Sequence, residues 1–130
     1  MVNKTKRSCK WIPTKNNSQS AGVHIIAEFW GVLNIKDPKK FEQILLDAAV
    51  LAKVKPLKVY VHKFLPQGMT GVVVLAESHI TFHTWPEMKY LALDIFTCGE
   101  YSEPYEALNH FKKILKPKSV QVLEIKRGVE

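Results

Sequence analysis

The feature that most limits how this chain can fold is an excess of strand-like segments over helical ones. His24 to Leu33 is rich in β-branched and aromatic residues, as is Leu57 to Leu65. After the turn signals of Pro66-Gln67-Gly68-Met69-Thr70-Gly71, Val72 to Ala76 is apolar on both faces, the pattern of a central strand. His79 to Trp85 alternates until Pro86 breaks it, and Tyr90 to Thr97 and Ser119 to Lys126 complete the set. Only two segments carry helical spacing. Asp37-Pro38 supplies an N-cap and a first-turn proline ahead of Phe41, Ile44, Leu45, Ala48, Ala49 and Ala52 on one stripe. Ser102-Glu103-Pro104 opens the other, with Leu108, Phe111, Ile114 and Leu115 inward and Lys112, Lys113 and Lys116 near its C-terminus. About six strands and two helices imply an α+β two-layer sandwich, a mostly antiparallel sheet with both helices on one face.

Size and composition suit one such unit. The chain has 130 residues, 46% hydrophobic and 24% charged, enough for one domain with one core. No apolar run approaches the roughly 18 residues that span a bilayer, and no apolar stretch follows the N-terminal basic residues, so neither a membrane span nor a signal peptide is expected. Cys9 and Cys98 lack metal-ligand spacing, which points to reduced thiols in a cytoplasmic protein. The net charge of +7 is concentrated at one end: Lys4, Lys6, Arg7, Lys10 and Lys15 have no acid among the first twenty residues. The expected organisation is a flexible basic arm over 1–20 and a single domain over 21–130. Without basic and aromatic residues interleaved in the folded part, a nucleic-acid partner is not expected.

Strand parity sorts the side chains. Ile80 and Phe82 share one face of their strand, and Leu91, Leu93 and Ile95 one face of the next; these aliphatic faces belong under the helices. His79, Thr81, His83 and Trp85, with Asp94, Phe96 and Cys98, then project from the opposite face, joined by Tyr60 and Phe64. Two helices cannot cover both faces, and an aromatic sheet surface of this kind is not left to water. The economical cover is a second copy, giving a homodimer packed sheet against sheet with the polar cluster at the junction.

Ser78, His79, His83 and Cys98 admit several chemistries. A Ser–His hydrolase wants a glycine-flanked elbow, and Glu77-Ser78-His79 has none. A Cys–His thiol enzyme fits the shared face of Cys98 and His83 but shows no Asn or Asp orienter. His79, His83 and Cys98 are three candidate zinc ligands, without the usual paired cysteines. In the plain reading the histidines are ordinary strand residues and Cys98 a small buried hydrophobe.

Leu75-Ala76-Glu77-Ser78-His79-Ile80-Thr81-Phe82-His83-Thr84-Trp85-Pro86-Glu87 resembles the self-processing site of prokaryotic, short-class, pyruvoyl-dependent S-adenosylmethionine decarboxylases. The likeness continues through Asp94-Ile95-Phe96-Thr97-Cys98-Gly99-Glu100, and upstream through His24-Ile25-Ile26-Ala27-Glu28-Phe29, His62-Lys63-Phe64-Leu65-Pro66 and Gly68-Met69-Thr70-Gly71-Val72-Val73-Val74. It covers about residues 22–128. Decarboxylating an α-amino acid needs an electron sink for the developing carbanion, and the resemblance implies that the chain makes one from its own backbone. The Ser78 hydroxyl attacks the Glu77 carbonyl, the resulting ester undergoes β-elimination, and the dehydroalanine at 78 hydrolyses to a pyruvoyl group. A β chain of residues 1–77 and a pyruvoyl-capped α chain of 78–130 result. The ketone then forms a Schiff base with S-adenosylmethionine, and loss of CO2 gives the decarboxylated product used in spermidine synthesis.

By the same resemblance His83 assists processing, Cys98 donates the proton that replaces CO2, Phe64 stacks on the adenine beside the cationic sulfonium, and Glu87 recognises hydroxyls or charge. Thr70 stands where serine is common and keeps the hydroxyl, in a supporting role for processing. No metal is implied. Two alternatives stand beside this: an arginine or ornithine decarboxylase on the same scaffold, and a non-enzymatic dimeric binding module.

Overall fold

The computed structural model describes residues 10–13 and 19–129; Cys9 and most of the expected arm lie outside them. Strands β1 (Ile12–Pro13) and β2 (Gln19–Ser20) form a two-residue ribbon at the base of that arm. The domain then runs β3 (Gly22–Trp30), α1 (Pro38–Leu51), β4 (Pro56–Lys63), β5 (Met69–Leu75), β6 (His79–Trp85), β7 (Tyr90–Cys98), α2 (Pro104–Leu115) and β8 (Ser119–Arg127). Six of these strands make one sheet in the order β4-β5-β6-β7-β3-β8, every neighbour antiparallel. The α+β two-layer arrangement is the expected one.

Both helices start at the prolines that the sequence puts in their first turns. The Asp37 side chain accepts from the backbone N–H of Lys39 at 3.0 Å, and the stripe Phe41, Ile44, Leu45, Ala48, Ala49 and Ala52 is buried. Helix α2 begins at Pro104 without a side-chain cap. The Ser102 hydroxyl instead faces Thr97 Oγ1 at 3.0 Å and the Gly99 carbonyl at 3.2 Å, fastening the loop to the end of β7. Beneath the helices Ile25, Ala27, Phe29, Ile80, Phe82, Leu91, Leu93 and Ile95 are buried, and Phe82 stacks on Phe41 at 4.4 Å. Gly71 lies opposite Phe82, and an added Cβ would run into that ring.

Strand ends differ from the sequence expectation for local reasons. Strand β3 stops at Trp30, before Leu33, because Gly31 turns the chain at φ +73° and the N–H groups of Gly31 and Val32 both donate to the Lys89 carbonyl. Strand β5 begins at Met69 rather than Val72: Met69 pairs with Lys63 and its N–H donates to Thr84 Oγ1 at 2.9 Å.

The second face is open. The register aligns His79 with Phe96, Thr81 with Asp94 and His83 with Ala92, all projecting away from the helices, as parity required. Trp85, Tyr60 and Phe64 are 43%, 56% and 47% exposed there. Strand β8 is an edge, exposed along almost all of its length.

Candidate active site

One end of the open face is built around the peptide bond between Glu77 and Ser78. These residues form the bend between β5 and β6, closed by the Leu75 N–H donating to the Ser78 carbonyl at 2.9 Å. Cys98, at the end of β7 and only 8% exposed, reaches across and donates its thiol hydrogen to the Glu77 carbonyl at 2.9 Å. Its strand comes close to β3 because Gly22 is opposite; a side chain there would collide with the backbone at Thr97 and Cys98. A donor on a carbonyl oxygen draws electron density from the carbon and prepares it for attack. The adjacent hydroxyl belongs to Ser78. Both residues and Cys98 line a cavity of about 330 Å3 that Lys10, Lys53, Lys55 and Glu100 also border.

A second group occupies the other end. Thr70 on β5 and His83 on β6 are cross-strand partners, with Thr70 Oγ1 2.6 Å from His83 Nδ1. The same hydroxyl donates to the Phe82 carbonyl at 3.2 Å. A hydroxyl has one proton. Once Thr70 gives it to Phe82, the Nδ1 position of His83 must be the donor to Thr70, leaving Nε2 with the lone pair a base requires. Trp85 flanks His83 with ring centroids 6.1 Å apart and continues into Tyr90 at 5.2 Å and Trp30 at 4.4 Å. Phe64 rests edge-to-face against His62 at 4.6 Å, and Glu87 accepts from the Gln67 side chain at 2.9 Å.

The two groups share a face without sharing a place. Five residue steps of extended chain run from Ser78 to His83, about 16 Å at 3.3 Å per step. Ser78, Glu77 and Cys98 are brought together, and so are Thr70 and His83. Within one chain the second set does not reach the first.

Sequence reasoning missed a third cluster, beside the bend. His24 Nε2 lies 3.0 Å from Asp94 Oδ1, His79 meets His24 edge-on at 6.4 Å, and both rings contact Phe96, over which the Arg127 guanidinium sits at 4.7 Å. Burial, followed by repulsion from His24, lowers the pKa of His79, with Asp94 opposing the shift. At the far end burial, aided by the hydrogen bond from its hydroxyl to Glu28 at 2.6 Å, pushes Tyr90 up to about 12. His24 and Asp94 stand 70 positions apart, so only the β3–β7 register reveals them. Among the described residues no three His, Cys, Asp or Glu side chains converge as a metal site.

Known proteins match this chain in sequence and in fold. The sequence profile of a family described as S-adenosylmethionine decarboxylase covers residues 23–128. A protein of Methanococcus maripaludis named S-adenosylmethionine decarboxylase proenzyme is 47% identical over 110 residues, 83% of this chain and 90% of the relative. One of the same name from Clostridium tetani is 43% identical over 110 residues, 83% of this chain and 87% of its own length. The crystal structure of the adenosylmethionine decarboxylase from Aquifex aeolicus superposes with a TM-score of 0.79 at 34% identity, over 85% of this chain and 93% of that one. A Trypanosoma brucei AdoMetDC monomer shares the fold alone, at a TM-score of 0.55 and 12% identity, over 78% of this chain and 45% of that one.

Proposed function

The chain belongs to the S-adenosylmethionine decarboxylase family, and from that premise we propose that it is made as a precursor, cuts itself between Glu77 and Ser78, and decarboxylates S-adenosylmethionine. The observation that carries this is the Cys98 thiol donating to the Glu77 carbonyl at 2.9 Å, at a half-buried bend where the next residue is a serine. The carbonyl is polarised, the Ser78 hydroxyl is adjacent, and the cavity that both line reaches solvent. When formed, the pyruvoyl ketone at position 78 supplies the electron sink that loss of CO2 demands. Cys98 stands ready to return a proton to the α-carbon. Phe64 offers an exposed ring for a flat cationic nucleoside, and Glu87, held by Gln67, offers a carboxylate to its hydroxyls.

His83 acts in this scheme from a second copy of the chain. The Thr70–His83 pair lies about 16 Å from its own Ser78, whereas a two-fold partner laid on the open face brings its own pair to the opposite end. A homodimer burying the two aromatic faces completes each site with residues of both protomers. The arginine or ornithine alternative gains nothing from the relatives, which carry the S-adenosylmethionine name. The binding-module alternative accounts for no serine at a polarised peptide bond.

Intact-mass measurement of purified protein should give two fragments divided at Glu77/Ser78, and CO2 should be released from S-adenosylmethionine in preference to arginine or ornithine. A single uncut chain in aged, folded protein refutes the mechanism.

A further inference from the structure

We propose that the carboxylate created on Glu77 by the cut is itself a working part of the finished site: it accepts the hydrogen bond of Cys98 and keeps that thiol protonated. This rests on the self-cleavage proposed above. Its starting point is the 2.9 Å contact from Cys98 Sγ to the Glu77 carbonyl oxygen.

The fate of that oxygen follows from the balance of the reaction. Ser78 Oγ bonds to the Glu77 carbonyl carbon, the C–N bond breaks and the Ser78 nitrogen becomes an amine. Removal of the Ser78 α-proton then breaks its Cβ–Oγ bond. Glu77 departs as a carboxylate that retains its original carbonyl oxygen and takes Ser78 Oγ as the second. One water converts the remaining enamine to the ketone and releases ammonia. The oxygen already facing Cys98 therefore changes from a neutral amide acceptor to half of an anion, with no need for the chain to relocate.

An anion in hydrogen-bond contact favours S–H over S⁻ twice, by accepting the bond and by repelling the thiolate. The cut adds this negative charge to the charges that already surround the thiol, so the midpoint rises relative to the uncut chain. Lys53 is engaged by Glu103 at 3.1 Å, Lys10 and Lys55 are exposed at the rim where solvent and salt screen them, and Glu100 and Tyr101 add no positive charge. Strand β3 presents Gly22 to Cys98, with Arg127 of β8 on the far side of that glycine, and this cation is the same in cut and uncut protein. A thiol that must donate a proton to carbon near neutral pH thus has its protonated form secured by the cut that generates the ketone. A cysteine at its ordinary value of about 8.5 would begin to ionise within a pH unit or two of neutrality.

The test compares the ionisation of Cys98 in cut wild-type protein and in uncut Ser78→Ala, followed by thiolate ultraviolet absorbance against pH with the matching Cys98→Ser protein subtracted. The midpoint in the cut protein is expected about one to two pH units above that in Ser78→Ala. Reducing the ketone with borohydride should leave this difference in place, because the charge sits on Glu77. Coincident midpoints, a lower midpoint in the cut protein, or a difference that vanishes on reduction overturns the inference while leaving self-cleavage intact. Wild-type protein that remains one chain by mass overturns both together.

Discussion

Mixing two inactive variants gives the sharpest test of a site shared between copies. Ser78→Ala retains the Thr70–His83 pair but has no hydroxyl to attack Glu77; His83→Ala retains the hydroxyl but lacks the base. With about 16 Å between the two groups, far beyond hydrogen-bond reach of about 3 Å, neither chain can complete its own site. Equal amounts, exchanged through mild denaturation, re-pair at random so that about half of the dimers are mixed. Each mixed dimer holds one competent site, formed by Ser78 of the His83→Ala chain and His83 of the Ser78→Ala chain. About half of the His83→Ala chains should therefore cut, and none of the Ser78→Ala chains, as intact mass distinguishes directly. Exchange is verified beforehand by co-purification through a tag on one variant. No fragments despite proven exchange would refute the shared site, and His83→Ala cutting by itself at the parental rate would remove His83 from the chemistry.

Thr70→Val keeps the shape but loses the bonds to His83 and Phe82; at about 1 kcal/mol of positioning per bond, self-cleavage should slow about thirtyfold, while Thr70→Ser stays near the parental rate in a time course of fragment formation. Gly71→Ala drives a methyl into Phe82, whose ring is stacked on Phe41, and sets it 3.0 Å from Val61 Cγ2; denaturant midpoints should report about 1–3 kcal/mol of lost stability. His79 has a folded pKa below its unfolded value of about 6.5, so the unfolded chain binds its proton first and stability falls as pH drops through that range. His79→Asn should flatten the acid side of a plot of denaturation midpoint against pH, and an unchanged slope would show that another group carries it.

The sandwich was legible because its determinants are local. Asp37-Pro38 marks a helix start in adjacent residues, the Phe41-to-Ala52 stripe has its period within one helix, and the alternation from His79 to Trp85 assigns faces without a partner. Faces, however, are weaker information than positions. His83 and Cys98 do share a side, but their distance depends on the β6–β7 register and on where the bend at Glu77 falls, neither of which periodicity encodes. The His24–Asp94 pair was invisible for the same reason. Strand ends also depend on tertiary events: β3 stops because Lys89, far along the chain, supplies the acceptor for the Gly31 turn. The resemblance to a known family singled out the Glu77–Ser78 bond, where residue types alone left several chemistries open.

If nucleophile and base come from different copies, as proposed, the birth of the enzyme becomes a matter of encounter. On that proposal a newly made chain, however well folded, waits intact until it meets another. At low abundance maturation therefore follows second-order kinetics and turns first-order only once pairing saturates, so the cell's supply of active catalyst rises more steeply than its supply of polypeptide.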